Sequence, residues 1–559
     1  MLLGLFLFIC LFFYLAYRFY AGYLERVLEV DKSQITPAHF MRDRVDYDPA
    51  PRLILFGHHF SAIAGSGPIV GPIIAALAFG WAPALLWILL GCVFLGATFD
   101  YVSIIASIRN QGKSLGQIAR NFMGGFSYKV FLSFLLIILI YILIVFVDLA
   151  AATFAPTAED AVQQGGVVAT SSLIYIGLAL VFGLALRRSG FSSTQLTFIF
   201  VPLIFITIWL STYIPLTSEV VSELGIAPQK AWTVVLLIYC ALASILPVWL
   251  LLQPRDFLSS FLLYACLFGG FIGILAAGFS GKHAIEYPSF ITINSETLGP
   301  IFPILFVTIA CGAISGFHCL VGMGTTSKQL DQVRDAKPIG YGGMLLEGVL
   351  GVLSIATVMI CVKNPGTTPP TIFANGLGAF LEVFGLDPFY VSALALLAVS
   401  TFILTTLDAA TRLTRFILQE LLGLSNSLST RWISSILIVS VPAAAVLLNP
   451  SDSPLWQLIW PAFGATNQLL AALGLFFLYL WRRQSCKKTL FISIPMLIMF
   501  AITITAMIQL ILKSFVTGRD WAVGGVCAVL LLMTLSILGD ALWKIYQGRR
   551  NQNLKTADL

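Results

Sequence analysis

Stretches of about twenty mainly apolar residues, the length of one helical crossing of a bilayer, recur along the whole of this chain. In lipid every backbone polar group must find its partner inside the protein, and a helix achieves that within one segment. Runs bounded by charges or turn residues place spans near 2–19, 52–80, 82–107, 130–153, 171–187, 194–214, 232–251, 257–280, 300–327, 341–362, 389–409, 432–448, 457–480, 489–512 and 522–543. The longest connection, roughly 20–51, is too short for a folded domain. With 58% hydrophobic and 10% charged residues and a mean hydropathy of +0.93, the soluble globular class is excluded. The expected fold class is an all-α polytopic membrane protein with about 15 transmembrane helices. The first run has no basic leader and no small-residue cleavage site, so it is read as a retained helix.

Alternating spans divide the lysines and arginines unequally. The face holding the first connection and the C-terminus collects 27 of the 32, among them Arg26, Arg42, Arg109, Arg120, Arg187, Arg188, Arg412 and Arg415. The other face collects Lys230, Lys282, Lys363, Lys513 and Arg519. Positive loops stay on the cytoplasmic side, so the N-terminus is expected outside and the C-terminus inside. The net charge of +6 then reflects topology, and no basic domain remains for nucleic acid. The nine cysteines form no CxxC pair and are read as small buried apolar residues, with no metal or disulfide role.

Two spans carry helix breakers where unpaired backbone costs most. "FGHHFSAIAGSGPIVGP" at 56–72 sets Gly65, Gly67, Pro68, Gly71 and Pro72 within eight residues. "IACGAISGFHCLVGMGTT" at 309–326 sets Gly312, Gly316, Gly322 and Gly324 along a second apolar stretch. Each stretch follows a proline, Pro51 or Pro300, and their starts are seven spans apart, so they run in opposite directions. Paired broken helices in two inverted halves point to a secondary transporter of alternating access. Each begins a group of five, which divides the chain into 1–51, 52–214, 215–299, 300–480 and 481–559: one helix, five, two, five and two. Unwinding is expected near 64–67 and 312–316. Freed carbonyls there can ligate a cation, and new half-helix N-termini can hold an anion. Ala64, Gly65, Ser66, Gly67, Gly312, Ser315, Gly316, Phe317 and His318 are therefore the candidate substrate-binding residues.

These motifs carry a resemblance. Together with "GKSLGQIA" at 112–119, "CGAISGFHCLVGMGTTSKQL" at 311–330, "IGYGGMLLEG" at 339–348, "TTLDAATRLTRFILQE" at 405–420 and "WPAFGATNQLLA" at 460–471, the chain resembles the carbon starvation (CstA) family over most of its length. The resemblance implies a bacterial inner-membrane transporter of peptides or pyruvate, the latter with protons. It further implies kinship with the amino acid–polyamine–organocation superfamily and its LeuT-like fold of five plus five inverted helices.

Coupling candidates follow from side chains that can carry charge. His58 and His59 lie on the inner half of the first broken span, and His318 begins a half-helix of the second. Histidine titrates nearest physiological pH, so each can carry a proton. Asp100 and, with less weight, Glu347 are ionisable groups within spans. For a hard cation the candidates are Ser400, Thr401, Thr405, Thr406 and Asp408, with Thr401, Thr405, Asp408 and Arg412 on one helical face. Two bland readings stand beside these: the threonines bond the preceding turn, and Asp408 pairs with Arg412. Asp148 and Asp540 are read as solvated span ends, and Trp456 and Trp460 as an interfacial belt.

The leading function is cation-coupled uptake of a small carboxylate-bearing nutrient, pyruvate or short peptides, with the proton favoured over sodium. The alternative is a sodium-coupled peptide or amino-acid symporter, and below it a channel or a nutrient sensor. An enzyme is not expected, because the histidine pair lacks the i, i+4 spacing of a zinc helix. No GxxxxGK[ST] loop supplies an ATP motor, and no cofactor is assigned. The expected partners are substrate, coupling cation and bilayer.

Overall fold

The structure, a computed structural model, describes residues 2–43, 47–156, 159–188, 190–216, 227–247, 249–425, 427–449, 454–518 and 520–557. Among them, thirteen helices are long and apolar enough to cross a membrane. The early ones are α1 (Leu2–Leu28), α4 (Trp81–Arg109), α5 (Gly125–Phe154), α6 (Gln163–Arg188), α7 (Thr194–Ser211), α8 (Pro228–Ile245) and α9 (Leu252–Ser280). The later ones are α13 (Val333–Met359), α15 (Pro388–Leu422), α16 (Leu428–Leu447), α17 (Leu455–Gln484), α18 (Leu490–Val516) and α19 (Trp521–Gln547). The first broken span is the pair α2 (Arg52–Ile63) and α3 (Gly67–Phe79), bent by 41°. The second is cut into α10 (Ile301–Thr308), α11 (Ala310–Ala313) and α12 (Gly316–Val321), which runs on through a π-turn at Gly322–Thr326. Thirteen of the fifteen expected spans are thus single long helices, the bent pair makes a fourteenth, and 300–327 is covered by the short helices α10–α12.

Burial separates the helices by role. α15 and α17 have apolar windows 89% and 94% buried, whereas α1, α16 and α19 are each 28% buried and offer apolar side chains to lipid. One further helix, α14 (Pro369–Glu382), is too short to cross and was not expected from the sequence. Its proline-rich start reads as a loop, yet a proline in the first helical turn loses no hydrogen bond.

Connections that the charge count assigns to the same face contact one another. On the lysine- and arginine-rich side, Arg109 donates to the Leu28 carbonyl at 2.7 Å and Tyr128 to Glu420 at 2.6 Å. On the other, Lys230 donates to the Asn449 carbonyl at 3.0 Å and Lys513 to that of Thr297 at 3.3 Å. Arg519 lies outside the described residues.

The two broken spans lie against one another, head to tail. Ala50 bridges Leu330, and the Ala50 amide donates to the Gln329 carbonyl at 2.9 Å. Further along, His59 meets Thr326, Gly67 faces Cys311 and Gly71 faces Thr308. Rising numbers on one span meet falling numbers on the other, so they are antiparallel. α4 and α13 follow suit, with Ile104 against Gly340, Gly96 against Met344 and Ile88 against Gly351.

Several expectations need correction. Trp456 and Trp460 are 1% and 2% exposed, and the Trp460 indole donates to the Thr308 carbonyl at 3.2 Å, so they are interior anchors and not a belt. Asp148 is buried, accepting from the Trp456 amide at 2.9 Å and from Gln229 at 2.8 Å. Asp540, by contrast, is only part-buried; it accepts from the Gly124 amide at 2.7 Å and pins a loop. Of the cysteines, Cys10 and Cys361 are half-buried and Cys486 is exposed; the other six are buried.

Candidate transport site

The backbone breaks where glycine, proline and an extended pair of residues interrupt two helices. In the first span, residues 64–66 are non-helical; the Gly65 amide turns back to the Ile63 carbonyl at 2.8 Å, and Pro68 stands in the first turn of α3. In the second, Ile314 and Ser315 are extended, with φ/ψ of −162°/134° and −132°/132°. Gly312, placed in the unwound stretch by the sequence, is instead helical in α11, and a side chain on it would face Pro68 and Pro72. The break falls two residues later because β-branched Ile314 favours extended backbone.

Between the breaks lies a closed cavity of about 10 Å³, room for about one water. Gly65, Gly67, Ser315, Phe317 and His318 line it, with Ile142, Phe146, Phe463 and Asn467 from α5 and α17. Ala64 and Ser66 are buried beside it, and the Ser66 hydroxyl has no partner. A solute larger than one water enters only if these walls part.

Asn467 is a residue that sequence reasoning missed. Its Oδ1 accepts from the Phe317 amide at 3.1 Å and its Nδ2 donates to Ser315 at 3.0 Å. It therefore caps α12, and the half-helix N-terminus expected to face an anion already has an acceptor. The available signal was the polar run Thr466–Asn467–Gln468 inside an apolar span.

His318 faces two ways. It lines the cavity, and its Nδ1 is 3.0 Å from Asp100 Oδ2, while its Nε2 is 3.4 Å from Glu347 Oε2. The three side chains come from α12, α4 and α13, and all are at most 2% exposed. Two acids and one base sealed together gain and lose a proton as a unit. His59 stands next to this cluster, with Nδ1 2.8 Å from Thr326 Oγ1 and no partner at Nε2. His58 points the other way, to Asp256 on α9 at 3.1 Å. Adjacent helix positions diverge by about 100°, so the two histidines serve different neighbours.

The five cation candidates on α15 do not form one site. Ser400 faces Ser172 of α6 at 3.4 Å, and Thr401 bonds back to the Leu397 carbonyl at 2.7 Å. Thr406 lines the cavity opposite Gly65. Thr405 and Asp408 are engaged by Arg255, a fully buried guanidinium at the start of α9. Arg255 pairs with Asp408, contacts Tyr239 and donates to Thr405 at 3.0 Å, while Tyr239 donates to Asp408 at 2.8 Å. Arg412, offered as the partner of Asp408, instead donates to the carbonyls of Ala243 and Leu246.

On the basic side a polar cavity of about 570 Å³ lies at the feet of both broken spans. Ion pairs cross it: Lys32–Glu25 at 2.8 Å, Lys337–Glu25 at 3.5 Å and Arg52–Asp335 at 3.8 Å. They tie α1, α2 and the segment after α12 together.

Gly67→Leu and Gly316→Leu are each expected to abolish uptake while the protein still reaches the membrane. A Cβ on Gly67 would lie 2.5 Å from that of Cys311, and one on Gly316 2.5 Å from the Asn467 carbonyl oxygen. Overpacking of this kind costs about 1–3 kcal/mol and shifts both breaks. Normal uptake kinetics in both variants, with membrane fractions checked by immunoblot, would contradict the assignment.

Comparison with known proteins gives the chain's family. The family model "Carbon starvation protein CstA" matches residues 2–368 and 363–506. "Peptide transporter CstA" of Bacillus subtilis (strain 168) is 33% identical over 514 residues, covering 82% of this chain and 82% of that protein. "Peptide transporter CstA" of Mycobacterium tuberculosis (strain ATCC 25618 / H37Rv) is 31% identical, covering 91% and 75%. "Pyruvate/proton symporter BtsT" of Escherichia coli (strain K12) is 30% identical, covering 82% and 74%. With the family model spanning most of its length and the broken-helix motifs in place, this chain belongs to the carbon starvation protein CstA family.

Proposed function

We propose that this protein is a secondary transporter that brings a small carboxylate-bearing nutrient, pyruvate or a short peptide, into the cell together with a proton. The observation that carries the reading is His318, which lines the cavity between two broken helices and contacts Asp100 and Glu347 behind it. A proton bound there sits one side chain from the substrate. Its relatives include named peptide transporters and a pyruvate/proton symporter, which supports the same class.

The physics of the bilayer asks for such a partner. An anion moving inward against an inside-negative potential loses about 2.3 kcal/mol per charge per 100 mV. One co-transported proton removes that opposition. Sodium is disfavoured because Arg255 already supplies a cation to Thr405 and Asp408.

The remaining assignments belong to the same proposal. The chain sits in the bacterial inner membrane with its N-terminus outside and its C-terminus inside. Residues 52–214 and 300–480 are the two inverted five-helix halves, and the antiparallel packing of α2–α4 on α10–α13 supports that division.

The test is uptake of labelled pyruvate and of a labelled dipeptide into proteoliposomes under imposed gradients. An inward proton gradient is expected to drive accumulation that a protonophore abolishes. Accumulation that tracks external sodium and ignores both pH and the protonophore would overturn the coupling assignment. Flux without saturation would indicate a channel.

A further inference from the structure

We propose that the coupled proton reaches the cytoplasm by a route separate from the substrate's, along the seam between α4 and the inner part of the second broken span, with Ser103 and Ser107 as relay residues. This rests on the proton-coupled reading above.

Asp100, Ser103 and Ser107 are three and four residues apart, so they share one face of α4 and step toward the basic side. Each has a polar counterpart on the facing segment. Asp100 meets His318, Ser103 lies beside the Cys319 thiol, and the Ser107 hydroxyl is 2.7 Å from that of Ser327. Ser107 also donates to the Lys113 carbonyl at 2.9 Å, and Lys113 is in an exposed loop. The row therefore runs from the cavity wall to water without passing through the cavity, which neither Ser103 nor Ser107 lines.

Ser103 distinguishes a route from ordinary packing. Buried hydroxyls here usually bond back to the preceding turn, as Thr401, Thr405 and Ser327 do. Ser103 is fully buried, and its hydroxyl does not bond back to its own helix; its neighbour is the Cys319 thiol, a weak hydrogen-bonding group. A weakly held hydroxyl in that position has lone pairs and a proton free for relay. Successive side chains on one face are about 5–6 Å apart at Cβ, a gap that one water bridges. In each hop one O–H or N–H bond breaks as another forms, so one proton leaves the cluster and one enters bulk water. The titratable groups around Asp100 are His318 and Cys319, Glu347 from α13, His59 from α2 and Cys92 on its own helix, with Arg109 at the cytoplasmic end.

Net uptake requires the proton to leave, whereas exchange of labelled for unlabelled substrate proceeds with the proton still bound. Both are measured in proteoliposomes holding wild type, Ser103→Ala, Ser107→Ala or Ser103→Thr, with pyranine in the lumen and pyruvate or a dipeptide as substrate. Ser103→Ala removes a hydroxyl whose neighbour is the weakly bonding Cys319 thiol, so its fold is expected to survive. In the two alanine variants, proton-driven net uptake and lumen acidification are expected to fall about tenfold while exchange stays within about twofold of wild type. Ser103→Thr, which keeps the hydroxyl, is expected to acidify the lumen like wild type. Full acidification in both alanine variants would overturn the route, as would exchange that declines in step with net uptake. Wild type that accumulates substrate without acidifying the lumen would overturn the proton-coupled reading itself, before any variant is compared.

Discussion

Replacing His318 with alanine is expected to abolish proton-driven accumulation and to leave any residual uptake indifferent to external pH. The wild-type sign follows from mass action. The inward-moving carrier binds a proton on the outside, so lowering external pH populates the loaded form and raises uptake at fixed sodium. The imidazole lines the cavity and also meets the two acids, Asp100 at 3.0 Å and Glu347 at 3.4 Å. Without it, proton and substrate no longer share a side chain, and a loss of about a hundredfold is in keeping with a positioned acid–base group. His318→Gln separates charge from packing, because it fills much of the space and donates a hydrogen bond without titrating. Both variants are expected to show the same flat pH profile with different thermal stability. A normal pH profile in His318→Ala would move the proton site elsewhere, and His58 with Asp256 at 3.1 Å is the next pair to test.

The proton cluster also shows where sequence reasoning runs out. Apolar runs and clustered glycines are local signals, so fourteen spans and the neighbourhood of both breaks were legible, and the ionisable residues within spans marked Asp100, Glu347 and His318 one at a time. Their meeting is tertiary. Asp100 and His318 are 218 positions apart, and nothing local to either predicts that they face each other. Asn467 escaped notice for the same reason, since a polar side chain in a span acquires meaning only from the amide it caps. Arg255 was hidden by a boundary. The run "QPRDF" at 253–257 reads as a polar turn, so the eighth span was begun at 257, whereas the fold starts α9 at Leu252 and buries the guanidinium. Trp456, Trp460 and Asp148 failed alike, because nearness to a span end was equated with exposure.

Arg255 supplies the second large effect. Arg255→Met or Asp408→Asn alone is expected to destabilise the protein by about 3–5 kcal/mol, because each leaves a buried charge or its hydrogen-bonding partners uncompensated. Both side chains of the pair are fully buried, and Tyr239 and Thr405 complete the cluster around them. The double variant Arg255→Met/Asp408→Leu removes both charges and keeps apolar volume, so most of the lost stability should return. Melting in detergent measures all three. Single variants that melt like wild type would show that the pair does not hold α9 to α15. The double variant also tests what the guanidinium does for transport. If Arg255 is a built-in substitute for a coupling cation, the double variant regains its fold yet transports poorly, since a fixed positive charge beside Thr405 has gone and sodium has no carboxylate at 408 to replace it. Supplying sodium to Arg255→Met, which keeps Asp408 and Thr405, should then restore stability in a concentration-dependent way that potassium does not match. An Arg255→Met variant whose melting point ignores sodium would mean that these oxygens are arranged for a guanidinium alone, and that the cluster is a structural clasp between two helices.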